Sequence, residues 1–176
     1  ELIDAMKAKV EADEEIEFIG DFAEPFATRA LCAMMGLSHE HWPFIADRAN
    51  TVGYALSVSI KEDIERIDVA VQELYEFVDQ LIRERKAEPG QDVVSRLVQF
   101  SEAGDKLTDA ELRNALVLML FGGMDTTRNQ LGLILQTYMR NPDQWELLAE
   151  RPEEFAKPAL EEALRANPTT RWVTRE

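Results

Sequence analysis

The stretch Leu116 to Gln130, LVLMLFGGMDTTRNQ, constrains this chain more than any other. Its apolar residues recur at helical spacing, yet two adjacent glycines, an acid and two threonines interrupt them. Gly122 and Gly123 each cost about 1 kcal/mol against alanine in a helix interior. Asp125, Thr126 and Thr127 prefer caps and turns, where their side chains compete for backbone hydrogen bonds. A helix that accepts this combination lets something flat or bulky approach its backbone. It also holds a carboxyl and a hydroxyl beside that object.

The rest of the chain reads as one helix after another. Leu2, Ile3, Met6 and Val10 mark a helix over 1–10, and 21–36 a second, closed by Gly36 in the position glycine favours. Ser38 is a plausible N-cap for a third over 39–56. Ser59-Ile-Lys-Glu62 is a capping box opening a long helix to Lys86, with Ile64, Ile67, Val71, Leu74, Phe77, Val78 and Leu81 as its apolar stripe. Glu88-Pro89-Gly90 ends it, Asp92 caps a short helix through Phe100, and Glu102 to Lys106 turns the chain. A second capping box, Thr108-Asp-Ala-Glu111, starts the glycine-bearing helix, which runs to Arg140, about 50 Å at 1.5 Å per residue. Asn141-Pro142 stops it and begins the next. Arg151-Pro152 and Lys157-Pro158 punctuate two short helices, the second ended by Asn167-Pro168. Only Thr169 to Glu176 looks extended. The expected class is all-α, organised around one long helix.

A length of 176 residues suffices for one domain with a sizeable core. The net charge of −15, from 34 acids and 19 bases without a basic run, excludes nucleic acid and anionic membrane surfaces as natural partners. The early acids, Glu11 to Glu24, read as a solvated helix end and loop. The longest apolar run, Ala115 to Met124, is too short for a membrane span, so no membrane association is expected. A single cysteine, Cys32, forms no internal disulfide and fits a reducing, cytoplasmic location. It lies in ALCAMMGL, where a cysteine is normally a buried hydrophobe. His39 and His41, two apart, point about 200° from one another on a helix and make a poor metal half-site.

The second motif is Glu162-Ala-Leu-Arg165, an acid and an arginine three apart on one helix face. Alone such a pair is worth a few tenths of a kcal/mol, about 0.2–0.5. Preceded by Gly122-Gly123-Met124-Asp125-Thr126-Thr127 with an Asn-Pro break between, it resembles the cytochrome P450 superfamily in its soluble bacterial style. FAEPFATRALCAMMGLS, RNPDQWELLAERPEEF and EEALRANPTTRWVTRE are similar to the family's phrases at those places. The resemblance covers essentially the whole chain.

The resemblance implies the central helical part of that fold and a haem-thiolate monooxygenase acting on a small organic substrate. The cofactor implied is haem b, with dioxygen as co-substrate. The electron donor implied is a ferredoxin or flavodoxin with its NAD(P)H-dependent reductase. Gly122 and Gly123 would let the haem plane approach, Asp125 would be the proton-relay acid, and Thr126 the hydroxyl that orders water beside dioxygen. Leu118 and Phe121 would line the substrate side. Glu162 and Arg165 would form a buried structural ion pair, and Arg175 would reach a haem propionate, with Arg171 as its rival. Residues 42–60, with Trp42, Tyr54 and Leu56, would form part of a mobile roof. Residues 1–176 are then one helical segment of a larger domain, lacking the N-terminal β-rich part and the cysteine loop that ligates iron. By itself the segment is expected to be inactive. A haem-free helical binding module derived from the same fold is the alternative; a di-iron bundle is excluded because neither histidine supplies a Glu-x-x-His motif.

Overall fold

The computed structural model describes residues 1–58, 60–102 and 107–171. Among them are eight α-helices and no strand: α1 (Leu2–Glu11), α2 (Glu24–Met34), α3 (Trp42–Gly53), α4 (Ile60–Ala87), α5 (Val93–Glu102), α6 (Asp109–Met139), α7 (Pro142–Glu150) and α8 (Pro152–Ala166). A π-helical turn, Ile19–Ala23, leads into α2, and short 3-10 turns, His39–His41 and Tyr54–Leu56, flank α3. No helix among the described residues is long and apolar enough to cross a membrane. Ser59 of the first predicted capping box, residues 103–106 of the predicted turn and Arg175 lie outside the described residues.

The chain divides into two compact units, Glu24–Asp125 and Glu1–Ala23 with Thr126–Glu176. In the first, α6 contributes Leu112, Leu116, Leu120 and Met124, all fully buried. A four-residue spacing keeps them on one stripe. They meet Leu74, Val78 and Leu81 of α4, Val94 and Val98 of α5, and Ile45 and Ala49 of α3 in one apolar core. The predicted stripe of α4 holds from its middle onward only. Ile64 is exposed, and burial begins at Ala70, because the first turns of α4 run past the edge of this core.

One polar hub ties three segments of this unit together. Gly36 ends α2 with φ +69°, a left-handed conformation that L side chains resist. Its carbonyl accepts from Nη2 of Arg85 at 2.7 Å, while Nε of Arg85 donates to Oδ2 of Asp92 at 3.2 Å. Asp92 caps α5 by accepting from the Ser95 N–H at 2.8 Å and from its hydroxyl at 2.9 Å. Ser95 Oγ also accepts from the Gly90 N–H at 2.8 Å.

Burial by itself pushes the Asp92 carboxyl up. The N–H and hydroxyl of Ser95 and the charge of Arg85 together outweigh it, holding the carboxyl below its ordinary range. A depressed folded pKa contributes stability above the unfolded value, about 3.9, and loses it as pH falls through the folded value. The stability gap between wild type and Asp92→Asn is therefore expected to be constant from neutral pH to about 5 and to close on further acidification. Denaturant melts across that range measure it; parallel curves would contradict the hub's charge role.

In the other unit, Lys9 of α1 donates to Asp21 at 2.6 Å and the Phe18 and Phe22 rings lie 5.4 Å apart. Gly132 packs against Ile19: a Cβ there would sit 2.8 Å from Ile19 Cδ1, so the end of that side chain would have to shift. The predicted break at Lys157-Pro158 does not occur: α8 runs through Pro158 as one helix. A proline removes one backbone bond and normally breaks a helix interior. Here the Tyr138 hydroxyl donates to the Ala159 carbonyl at 2.8 Å, holding the chain in register just past the proline.

Candidate functional site

The candidate residues sit on α6, which is unbroken α-helix from Asp109 to Met139, glycine pair included. Successive residues are about 100° apart, so Leu118, Phe121, Gly122 and Asp125 share the side opposite the buried Leu116–Leu120–Met124 stripe. Leu118 is 67% exposed. Phe121, Gly122 and Asp125 are half-buried, and Thr126, one position around the helix, is exposed. Phe121 leans towards Gly53, its Cε2 lying 3.9 Å from where a Cβ would stand there. The helix is thus apolar on both sides, one filled by the core and one open, which marks a surface made to be covered.

The two glycines differ in their surroundings. A Cβ built on Gly122 meets nothing within 4 Å, whereas one on Gly123 would stand 3.0 Å from Leu31 Cδ1. Gly123 therefore serves the packing of α2, a role that local sequence does not reveal. Gly122 has open space where a side chain would stand, which would let another group approach the helix closely.

Glu162 and Arg165 form the expected pair, with Oε2 accepting from Nε at 2.8 Å and Oε1 from Nη2 at 2.6 Å. Arg165's hydrogen bonds hold the Glu162 carboxyl below its usual range. The pair is on the surface rather than buried: its side chains are 60% and 73% exposed, at the edge of a groove that Glu162 shares with Tyr138 and Leu148. Arg171 is exposed, and Arg175 lies outside the described residues.

Cys32 is fully buried in the core of its unit, and desolvation pushes its thiol up, as suits a packing residue. The His41 ring packs edge-on against Phe77 at 5.3 Å. Among the described residues no group of three or more His, Cys, Asp or Glu side chains could hold a metal ion. Gln130, a polar residue of the motif stretch to which sequence reasoning gives no role, is buried and bonded to Asn167 and Thr169. Local sequence carries little signal for it, because Gln130 follows five polar residues, 125–129.

The family model described as Cytochrome P450 matches residues 29–153. The chain belongs to the cytochrome P450 family. It is 30% identical over 156 residues to luteothin monooxygenase of Streptomyces thioluteus, covering 88% of this chain and 38% of that protein. With the steroid C26-monooxygenase of Mycobacterium tuberculosis it shares 33% over 165 residues, 93% of this chain and 43% of the relative. Among solved structures, the crystal structure of CalO2 superposes with a TM-score of 0.79 at 28% identity, covering 87% of this chain and 38% of that one. The all-α architecture is thus the helical part of the cytochrome P450 fold, and the chain spans about two-fifths of the length of these curated relatives.

Proposed function

We propose that this chain supplies the distal, oxygen-activating wall of a haem-thiolate monooxygenase that hydroxylates a small organic substrate. The observation that carries the reading is the open space where a side chain at Gly122 would stand, flanked on the same side of α6 by exposed Leu118 and followed by Asp125 and Thr126. Haem b, when bound, supplies the iron at which dioxygen is reduced by electrons from a ferredoxin or flavodoxin and its NAD(P)H-dependent reductase.

The chain's own residues do the rest. Gly122 would admit haem beside the helix backbone, with Gly123 next to it. Leu118 and Phe121 keep bulk water from the substrate side, which strengthens every electrostatic interaction within. Asp125 holds a proton at its carboxyl, and the Thr126 hydroxyl passes it on and orders the water next to it. Arg175, or Arg171 in its place, would hold a haem propionate, a carboxylate that suits the guanidinium fork. The iron thiolate comes from a cysteine other than Cys32, whose burial leaves it no route to a ligand. Residues 1–176 are then one helical segment of a larger domain.

The reduced carbon monoxide difference spectrum tests this. Full-length protein is expected to give a thiolate-type Soret band, and residues 1–176 alone none. Absence of the band from the full-length protein, or its presence in the isolated segment, would overturn the reading.

A further inference from the structure

Gln130 is satisfied in a way that helix packing alone does not call for. It lies four residues beyond Thr126, about one turn along α6, and is only 9% exposed. Burying an amide there is unfavourable unless its groups find partners. Its Oε1 accepts from the Thr169 N–H at 2.9 Å and from the Thr169 hydroxyl at 2.8 Å. Its Nε2 donates to the Asn167 carbonyl at 3.2 Å. About two turns further along α6, Asn167 Nδ2 reaches Thr137 Oγ1 at 3.5 Å, and Thr137 donates to the Leu133 carbonyl at 2.7 Å. The segment leaving α8 is thus fastened to α6 at two levels. Thr126, Gln130 and Thr169 line one groove with Leu131, Ile134 and Leu164.

Glutamine suits this place for reasons of chemistry. Glutamate would accept from Thr169 but could not donate to Asn167; leucine of similar size could do neither; asparagine is one methylene short. Both donors on Thr169 converge on one oxygen, so the position of that residue relative to the helix is fixed in direction as well as distance. Thr126 and Gln130 lie on neighbouring turns of the same helix face. Whatever fixes the helix rotation at Gln130 also fixes the direction in which the Thr126 side chain leaves the helix.

We propose that Gln130 is a positioning residue for Thr126: by clamping residues 167–169 to α6 one turn away, it sets the orientation of the Thr126 hydroxyl and the wall across the groove from it. This rests on the role given to Thr126 above.

The test uses the full-length haem protein and two readouts, neither of them turnover. Hydrogen exchange at the Thr169 amide is expected to be slow in wild type and about tenfold faster in Gln130→Leu, with Gln130→Glu close to wild type because its oxygens still accept. The infrared stretch of carbon monoxide in the reduced complex senses the nearby hydroxyl. It is expected as one narrow band in wild type and Gln130→Glu, and as a shifted or split band in Gln130→Leu, moving towards that of Thr126→Val. Unchanged Thr169 exchange in Gln130→Leu would show that no clamp exists. Faster exchange with an unaltered band would leave a purely structural contact and overturn the positioning role. Should Gln130→Leu not fold, Thr169→Ala removes the hydroxyl half of the clamp from the other side. It must move the band in the same direction, and an unmoved band overturns the proposal. If wild type gives no thiolate-type carbon monoxide complex, the functional reading fails first and takes this inference with it, an outcome distinct from all the others.

Discussion

Asp125→Asn is expected to lower turnover of the full-length protein about 100-fold while leaving KM within a factor of three, since a positioned acid or base typically contributes 10²–10⁴ in rate. The substitution is nearly isosteric and keeps the helix; it removes only the ability to hold and release a proton. Asp125 is half-buried on the open side of α6, one residue before exposed Thr126. A relay acid placed there can draw protons from solvent and pass them inward. Thr126→Val, which keeps the branched shape and deletes the hydroxyl, should produce a different failure. Electrons and dioxygen are still consumed, but a large share leaves as hydrogen peroxide instead of product. Stopped-flow reduction rates serve as the control, because electron supply should be unaltered in both variants. Loss of activity carried wholly by KM would assign these residues to binding and refute the relay.

The second large effect is on stability. Gly36→Ala is expected to destabilise the protein by about 2–3 kcal/mol, summing a left-handed conformation for a non-glycine residue, about 1–2, and the loss of a helix cap, about 1. The clash behind the second contribution is specific. A Cβ at Gly36 would lie 2.4 Å from Asp92 Cβ, an atom that no rotamer change can move away. Asp92 must therefore shift, and with it go the cap of α5 and the ion pair with Arg85. Chemical denaturation of wild type and variant measures the difference. A loss under about 0.5 kcal/mol, the ordinary range for surface substitutions, would mean the hub is loosely built.

Much of the helix order was legible because its signals are local. The Thr108–Glu111 capping box is made as written, the Thr108 N–H donating to Glu111 Oε2 at 2.8 Å and the Glu111 N–H to Thr108 Oγ1 at 3.2 Å. Asn141-Pro142 separates α6 from α7, and Gly36 takes the positive φ its position suggested. What escaped the sequence depends on partners remote in the chain. Pro158 does not break α8, and the carbonyl of the next residue, Ala159, accepts from the hydroxyl of a tyrosine twenty-one residues before it. Gly123 answers to Leu31, and Gln130 to Thr169, contacts that no helical periodicity encodes. Glu162 and Arg165 found each other as their spacing requires, but spacing says nothing of depth, and the pair is exposed. For the site itself the motif named the residues, while geometry separated the glycine that is open from the one that is packed.

The two-sided apolarity of α6 couples stability to occupancy. Leu118 and its neighbours face outward in the chain as described, so whatever settles on that side binds the folded form and not the unfolded one. A ligand present at a hundred times its dissociation constant then adds about 2.7 kcal/mol to folding. The melting temperature of the full-length protein should accordingly rise with cofactor loading, and the apoprotein should be the species that proteases and aggregation remove first.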